Sequence, residues 1–412
     1  MHIDEGNPRP MRAMNLADAL VKAGHKVVLW SSAFYHQEKR HRSHRCERIM
    51  LSPSLEIRLI PSSGYQHNIG LGRLRDHLAL AHNLKRMLIK ESSLPDVAFV
   101  GYPPIESAVV MTNWLSSRGV PSLLDVKDQW PSIFLEAMPV SLRKFGKLGF
   151  WPYFYYSKKA LRQASGLSSM ADSFLQWGLD FAGREKGPYD SVFPLTSPPW
   201  QSEDRNLEKA RLWLDNQGIN DGRQDFRLVF IGSHTAVFDF EPVREAALTL
   251  WQISDKIQFV ICGDGELSAQ LRSMMQNIPN VIFPGWIDSS QIKALAERSH
   301  VAVTPYKNND SFTKSIPNKV IDALSLGLPI ISPLHGEVAD LISSYNVGIR
   351  YGTDSGKSLV QCIQMLMDNA ALRKQISKNA QKLYQEKFSY EIVYGALVRH
   401  LEKLSLKRMQ GT

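Results

Sequence analysis

Cysteine is scarce in this chain of 412 residues: Cys46, Cys262 and Cys362 stand far apart and without metal-ligand spacing. That argues against a disulfide framework and a zinc site, and it fits a reducing cytoplasm. Long apolar runs are missing too. None approaches the ~20 residues that a membrane-spanning helix needs, and the start, "MHIDEGNPRP", has no apolar signal region. The chain therefore reads as soluble or peripheral. Short-period repeats and low-complexity tracts are also absent, which leaves ordinary globular domains.

What is present is enough apolar material, 43% of residues, to bury more than one core. The length suggests about two domains. A formal charge of +9 fits an anionic partner: nucleic acid, a membrane surface or a phosphorylated small molecule. Nucleic acid is the weakest of these, because the basic residues are not interleaved with aromatics in any recognised binding module.

Apolar periodicity alternates along the chain. "RAMNLADALVKAG" has helical spacing, "HKVVLWSS" and "LEIRLIP" read as strands, "RLRDHLALAHNLKRMLIKES" as an amphipathic helix, and "PDVAFVGYPP", "IESAVVMTNWLSSRG" and "VPSLLDVKD" as strand, helix and strand. This rhythm predicts a parallel sheet wrapped by helices. "MHID" is too brief for a full opening strand, which leaves the start either truncated or misassigned. Proline and polar residues in "TSPPWQSEDRN", 196–206, mark an interdomain connection. A second alternation follows, from "DFRLVFIGSH" through "KIQFVICGDGE" and "NVIFPGW" to "HVAVTPY". The fold class is therefore α/β, with two Rossmann-like doubly wound domains. Ligands in such sheets sit beyond the carboxyl ends of the strands. The loops at Gly232, Gly263 to Gly265, Pro305 and Ser315 to Asn318 are thus expected to line one central cleft.

The stretch "SIPNKVIDALSLGLPII", 315–331, opens with a proline that tolerates a helix start, and the first-turn N–H groups of a helix attract anions. Lys319 and Asp322 lie one helical step apart. On periodicity alone, a core helix with a surface ion pair explains them equally well. The basic run "HQEKRHRSHRCER" reads as a solvated loop, or as a contact with an anionic bilayer or a pyrophosphate head group. "FGKLGFWPYFYYSKKALRQ", 145–163, reads as core packing, or as an amphipathic face at a bilayer.

Taken in order, "ADALVKAGHKVVLWSS", "DVKDQWP", "VFIGS", "VICGDGE", "VIFPGW", "AVTPY", "IPNKVID" and "EKFSYEIV" resemble retaining glycosyltransferases of family four, in particular bacterial polysaccharide enzymes with an I-P-x-K-type donor motif. The resemblance spans nearly the whole chain. It implies the GT-B architecture: an acceptor-binding domain at 1–196, a nucleotide-sugar-binding domain at 197–385, and a helix at 386–412 that crosses back to the first domain.

By that resemblance Ser315, Ile316, Pro317, Asn318 and Lys319 face the donor diphosphate, with backbone N–H groups and the Lys319 ammonium stabilising the leaving group. Asp322 holds the ribose hydroxyls in place of the family's second glutamate. Lys314 stands where the family has its first acid. Gly232 and His234 are expected near the diphosphate, Gly263 and Gly265 near the nucleobase or ribose, and Gly6, Arg9 and Arg12 near phosphate or acceptor. In "DVKDQWP", Asp128 ahead of Asp125 is the candidate for orienting the acceptor hydroxyl. The donor implied is a UDP-sugar, with no cofactor and no metal required. The acceptor is a glycan or lipid-linked glycan at the inner face of the cell membrane. Two alternatives share the fold, a nucleotide-sugar epimerase and a non-catalytic sugar-nucleotide-binding subunit; Lys314 and Asp322 motivate the second.

Overall fold

The computed structural model describes residues 11–36, 38–67, 70–136, 138–197, 200, 203–220, 225–352 and 356–409. The chain divides into two compact units, Met1–Pro194 with Tyr394–Thr412, and Leu195–Val393. The crossings thus fall after Pro194 and Val393, where the sequence reading drew them after 196 and 385.

The second unit holds a six-stranded parallel sheet in the order Val281–Gly285, Ile257–Cys262, Phe226–Ile231, Val301–Val303, Ile330–Ser332, Gly348–Arg350. Its central strands are buried along almost their whole length, as near-continuous apolar runs such as "IQFVIC" require when helices cover both faces. Chain direction across the sheet reverses between Phe226–Ile231 and Val301–Val303, and that switch point opens a crevice at the strands' carboxyl ends.

The strands of the first unit divide among smaller sheets. Ala98–Tyr102, Ser122–Val126, Gly166–Ser169 and Ser191–Val192 form a parallel four-stranded sheet. Val27–Ser32 pairs in parallel with Leu55–Ile60, which pairs antiparallel with Glu47–Ser52. The expected opening strand lies outside the described residues, as do Gly6 and Arg9.

Two features depart from the sequence reading. Glu47–Ser52 is a strand, and Arg40–His41 pairs with Phe34–Tyr35 in a small hairpin, so the basic run touches sheet at Arg40–His41 and at its end, while its other described residues are turns, bends and irregular backbone, as a loop reading expects. The reason is local: Phe34 and Tyr35 are buried, which anchors the hairpin despite the charges that follow. The helix Tyr390–Met409 sends Leu397, Leu401 and Leu404 into the interior, and His400 Nε2 lies 3.1 Å from the carbonyl of Tyr189. From Tyr394 onward it belongs to the first unit.

Candidate active site

In the second unit the site grows from the carboxyl end of Phe226–Ile231. Pro317 opens the helix Asn318–Ser325 with no side chain capping it, so its first turn presents backbone donors and the positive end of its dipole. Val320, Ile321, Ala323 and Leu324 are buried and fix the rotation of this helix. That rotation sends Lys319 across the switch point. Its Nζ donates to the carbonyl of Ile231 at 2.7 Å and lies 5.1 and 5.4 Å from the ring centroids of Phe230 and Phe238. Aromatic faces and a carbonyl help hold the ammonium in place.

Gly232 follows the strand with φ of 155°, and a Cβ there would lie 1.3 Å from Lys319 Nζ. A methyl group at 232 and the Lys319 ammonium therefore cannot both keep these positions. Gly263 obeys the same logic, since its Cβ would meet the Gly232 carbonyl at 1.9 Å.

His234 is buried beside these turns, at 1% exposure. Its N–H donates to the Asp264 carbonyl at 3.0 Å, and its Nδ1 stands 2.8 Å from Ser268 Oγ. Ser268 Oγ in turn donates to Asp264 Oδ1 at 2.6 Å and accepts from the Gly265 N–H at 2.8 Å. A serine has one proton to give, and Asp264 takes it. Nδ1 of His234 must then be the donor, so in the neutral ring Nε2 carries the lone pair. That Nε2 is buried with no hydrogen-bond partner. Burial lowers the His234 pKa, Asp264 opposes the shift, and Arg272 and Lys319 add to it.

The structure thus gathers Gly232, His234, Gly263, Gly265 and Lys319 around one crevice. Ser315 is buried behind the turn, and Ile316 is half-buried against the core. Asp322 lies one helical turn beyond Lys319, close enough to Tyr306 to help raise the pKa of that phenol, after burial. Lys314, in the place of the family's first acid, is exposed.

In the first unit the two aspartates part company. Asp125, in the strand Ser122–Val126, is 1% exposed. It receives Arg12 through both oxygens, at 3.0 and 3.2 Å, and Ser168 Oγ at 2.8 Å. Arg12 also donates to the Pro194 carbonyl at 3.1 Å. These bonds assign Asp125 and Arg12 to a structural tie between the first helix and the sheet, in place of the acceptor and phosphate roles expected of them. Asp128 lies beyond the strand end and keeps an exposed surface. Dense protein nonetheless surrounds it, and loss of water raises its pKa against the pull of Lys127 and Arg73.

Residues 216–383 match the family model described as Glycosyl transferases group 1. Among curated proteins it is 23% identical over 179 residues to the putative colanic acid biosynthesis glycosyltransferase WcaL of Escherichia coli, covering 42% of each chain. It is 26% identical over 132 residues to a Campylobacter jejuni alpha-1,4-N-acetyl-D-galactosaminyltransferase named for a diNAcBac-PP-undecaprenol-linked acceptor, covering 32% of this chain and 35% of that one. The matched stretches span less than half the length of either relative. Among solved structures, HepE of Anabaena in complex with UDP and glucose superposes with a TM-score of 0.59 over 84% of this chain and 86% of that one, at 13% identity. This shows a shared GT-B fold.

Sequence reasoning missed the partners that hold the site residues. Phe230 and Phe238, which seat the lysine, look like ordinary core positions in sequence. Asp264 and Ser268, which fix the histidine tautomer, are separated from it by a strand and a turn. A signal existed only for Asp264, inside "GDGE".

Proposed function

We propose that this protein transfers a sugar from a nucleotide-sugar donor, a UDP-sugar, to a lipid-linked glycan acceptor, with retention of anomeric configuration, in cell-surface polysaccharide biosynthesis. The observation that carries the reading is the Lys319 ammonium, held at the switch point of the second unit beside an uncapped helix start. Negative charge grows on the departing diphosphate, and a fixed cation with preorganised N–H donors stabilises that charge most at the transition state. These groups supply the electrostatic role that a divalent metal fills elsewhere, so the reaction as proposed needs no metal. The UDP in the HepE complex and the lipid diphosphate in the Campylobacter relative's name support the choice of donor and acceptor classes.

In a retaining reaction the acceptor hydroxyl attacks from the leaving group's side, so the diphosphate itself can take the proton. Asp128 then orients the acceptor. Its raised pKa makes the carboxylate a better hydrogen-bond acceptor, which suits a group that holds the acceptor hydroxyl in place.

The reading also places the protein at the cytoplasmic face of the cell membrane. Among the described residues no helix is long and apolar enough to cross a membrane. Segment 140–156 instead exposes Val140, Phe145 (72%), Leu148, Trp151 (60%) and Tyr155, with Arg143, Lys144 and Lys147 among them. Apolar and aromatic side chains interspersed with cations suit a surface that rests on anionic lipid.

The test is a panel of nucleotide sugars screened for thermal stabilisation, followed by assay of UDP release with and without a lipid-diphosphate-linked glycan. Donor-dependent stabilisation and acceptor-dependent turnover are expected. Stabilisation with no turnover under any acceptor would favour the binding-subunit reading that Lys314 motivates, and epimer formation without acceptor would favour an epimerase.

A further inference from the structure

His234 is pinned by its backbone in the second unit. Its N–H donates to the Asp264 carbonyl at 3.0 Å, its carbonyl accepts from the Leu267 N–H at 3.1 Å, and a Cβ on Gly265 would meet its carbonyl oxygen at 2.5 Å. The ring has little more freedom. It lies 6.1 and 6.4 Å from the ring centroids of Phe230 and Phe240, and Nδ1 is committed to Ser268. Ser268 Oγ has no capacity left, because it donates to Asp264 Oδ1 and accepts from the Gly265 N–H and from Nδ1. Nδ1 therefore keeps its proton whether the ring is neutral or charged. The nitrogen that gains and loses a proton is Nε2, which is buried with no hydrogen-bond partner.

A buried ring takes a proton only where the local field favours it. Among the described residues, three charged side chains act on this one. Asp264, on the turn after Ile257–Cys262, favours the charged ring; Arg272, on the helix Ser268–Met275, and Lys319, on the helix Asn318–Ser325, oppose it. The Cys262 carbonyl adds to the pull of Asp264. Burial is the largest influence, and it holds the ligand-free ring below the usual histidine value of 6.5. An arriving diphosphate reverses this balance. It carries a negative charge on each phosphate, and it comes to Lys319, which is itself near enough to act on the His234 ring.

We propose that His234 takes up a proton at Nε2 when the donor diphosphate arrives at Lys319, and that Ser268 and Asp264 are the positioning residues that hold the ring in the tautomer able to do so. This assignment rests on the nucleotide-sugar reading of the site. A buffer acid gives up the proton, the imidazole becomes imidazolium, and no bond of the donor breaks. The result is a further cation that exists only while donor is bound, so the empty site is spared its repulsion with Arg272 and Lys319. A group that holds its proton more tightly in the complex than in the free chain makes binding tighter as pH falls. Donor affinity then rises between the raised pKa of the complex and the lowered pKa of the free chain, and levels off below it.

UDP-glucose and UDP-N-acetylgalactosamine serve as probes, because a diphosphate esterified at both ends has no ionisation of its own near neutral pH. Calorimetric titration of the full chain between about pH 8 and about pH 6, in buffers of different ionisation enthalpy, should show uptake of about half a proton or more. Affinity should rise as pH falls, by up to about tenfold per pH unit. His234→Gln should abolish the uptake and flatten this dependence, so that its loss of affinity grows towards low pH. A merely structural histidine would weaken binding equally at every pH. Ser268→Ala should shrink the uptake, and Ser268→Thr, which keeps the hydroxyl, should restore it. Should His234→Gln unfold, the two serine variants decide. Binding without proton uptake in the wild type, or uptake unchanged in His234→Gln or in Ser268→Ala, overturns this proposal alone and leaves the donor site standing. Binding of neither probe overturns it together with the UDP-sugar reading.

Discussion

The two units handle charge in opposite ways. In Leu195–Val393 one ammonium, Lys319, occupies a place cut to its shape: a glycine with no room for a methyl group, two aromatic rings and a carbonyl. In the first unit Arg42, Lys39 and Arg73 each lie over an aromatic ring, and the buried carboxylate of Asp76 accepts from a backbone N–H. The first arrangement suits a transition state, where a single charge must be met at one point. The second spreads positive charge over several side chains, each held over its own ring. Where a cation is worth most is decided by what surrounds it, and the surroundings of the two sites differ in kind.

The sharpest way to break the comparison is Lys319→Ala. Removing a positioned donor to developing charge should lower kcat/KM by about 10²–10³-fold. Circular dichroism should show an intact fold, because the helix start is held by buried Val320, Ile321, Ala323 and Leu324. Unchanged turnover with every donor would take the lysine out of the site. Gly232→Ala tests the same feature from the other side. The new methyl evicts the ammonium, so activity should fall by about tenfold or more, given that small misplacements are costly.

Asp125 and Asp128 should separate stability from activity. Asp125→Ala leaves Arg12 buried without its partner and should cost about 3–5 kcal/mol in denaturant unfolding. Asp128→Asn should leave the unfolding midpoint in place and lower transfer to the acceptor by a few-fold, about 1 kcal/mol at the transition state, more than it lowers donor binding. The opposite pattern, a stable but inactive Asp125 variant, would return the acceptor role to Asp125.

A smaller effect concerns pH. Burial, then Arg73, lowers the pKa of His77 in the first unit from 6.5 to about 4, against Asp76. The unfolded chain therefore takes up this proton near pH 6.5 while the folded chain refuses it until about pH 4. Stability from this group is full above pH 6.5, declines as pH falls through that window and is lost below about 4, for a total of up to roughly 3 kcal/mol. His77→Gln should flatten that part of the pH profile. An unaltered profile would show that His77 does not carry it.

Much of this molecule could be read without its structure. Alternating helical and strand periodicity is a local property, so "RAMNLADALVK", "IQFVIC" and "NKVIDALS" announce their elements, and the order of the donor motifs follows from the order of the strands. Within the basic run, charge density hides only the short pairing at Arg40–His41, whose anchor, Phe34 and Tyr35, is two residues long. Asp125 and Asp128 could not be told apart by pattern. Three positions separate them, yet one faces Arg12, 113 residues earlier in the chain, and the other clears the strand end.

The sequence by itself therefore determined the α/β class, the collinear donor motifs and the candidate lysine, because each depends on residues close together along the chain. Only the tertiary structure decided that Gly232 makes way for Lys319, that Ser268 fixes the His234 tautomer, that Arg12 is spent on Asp125, and that Arg42 and Arg73 meet at one cavity. Each of these is a contact between distant segments. Such contacts are set by how sheets and helices pack once formed, and no local pattern encodes the distance across which a charge will find its partner.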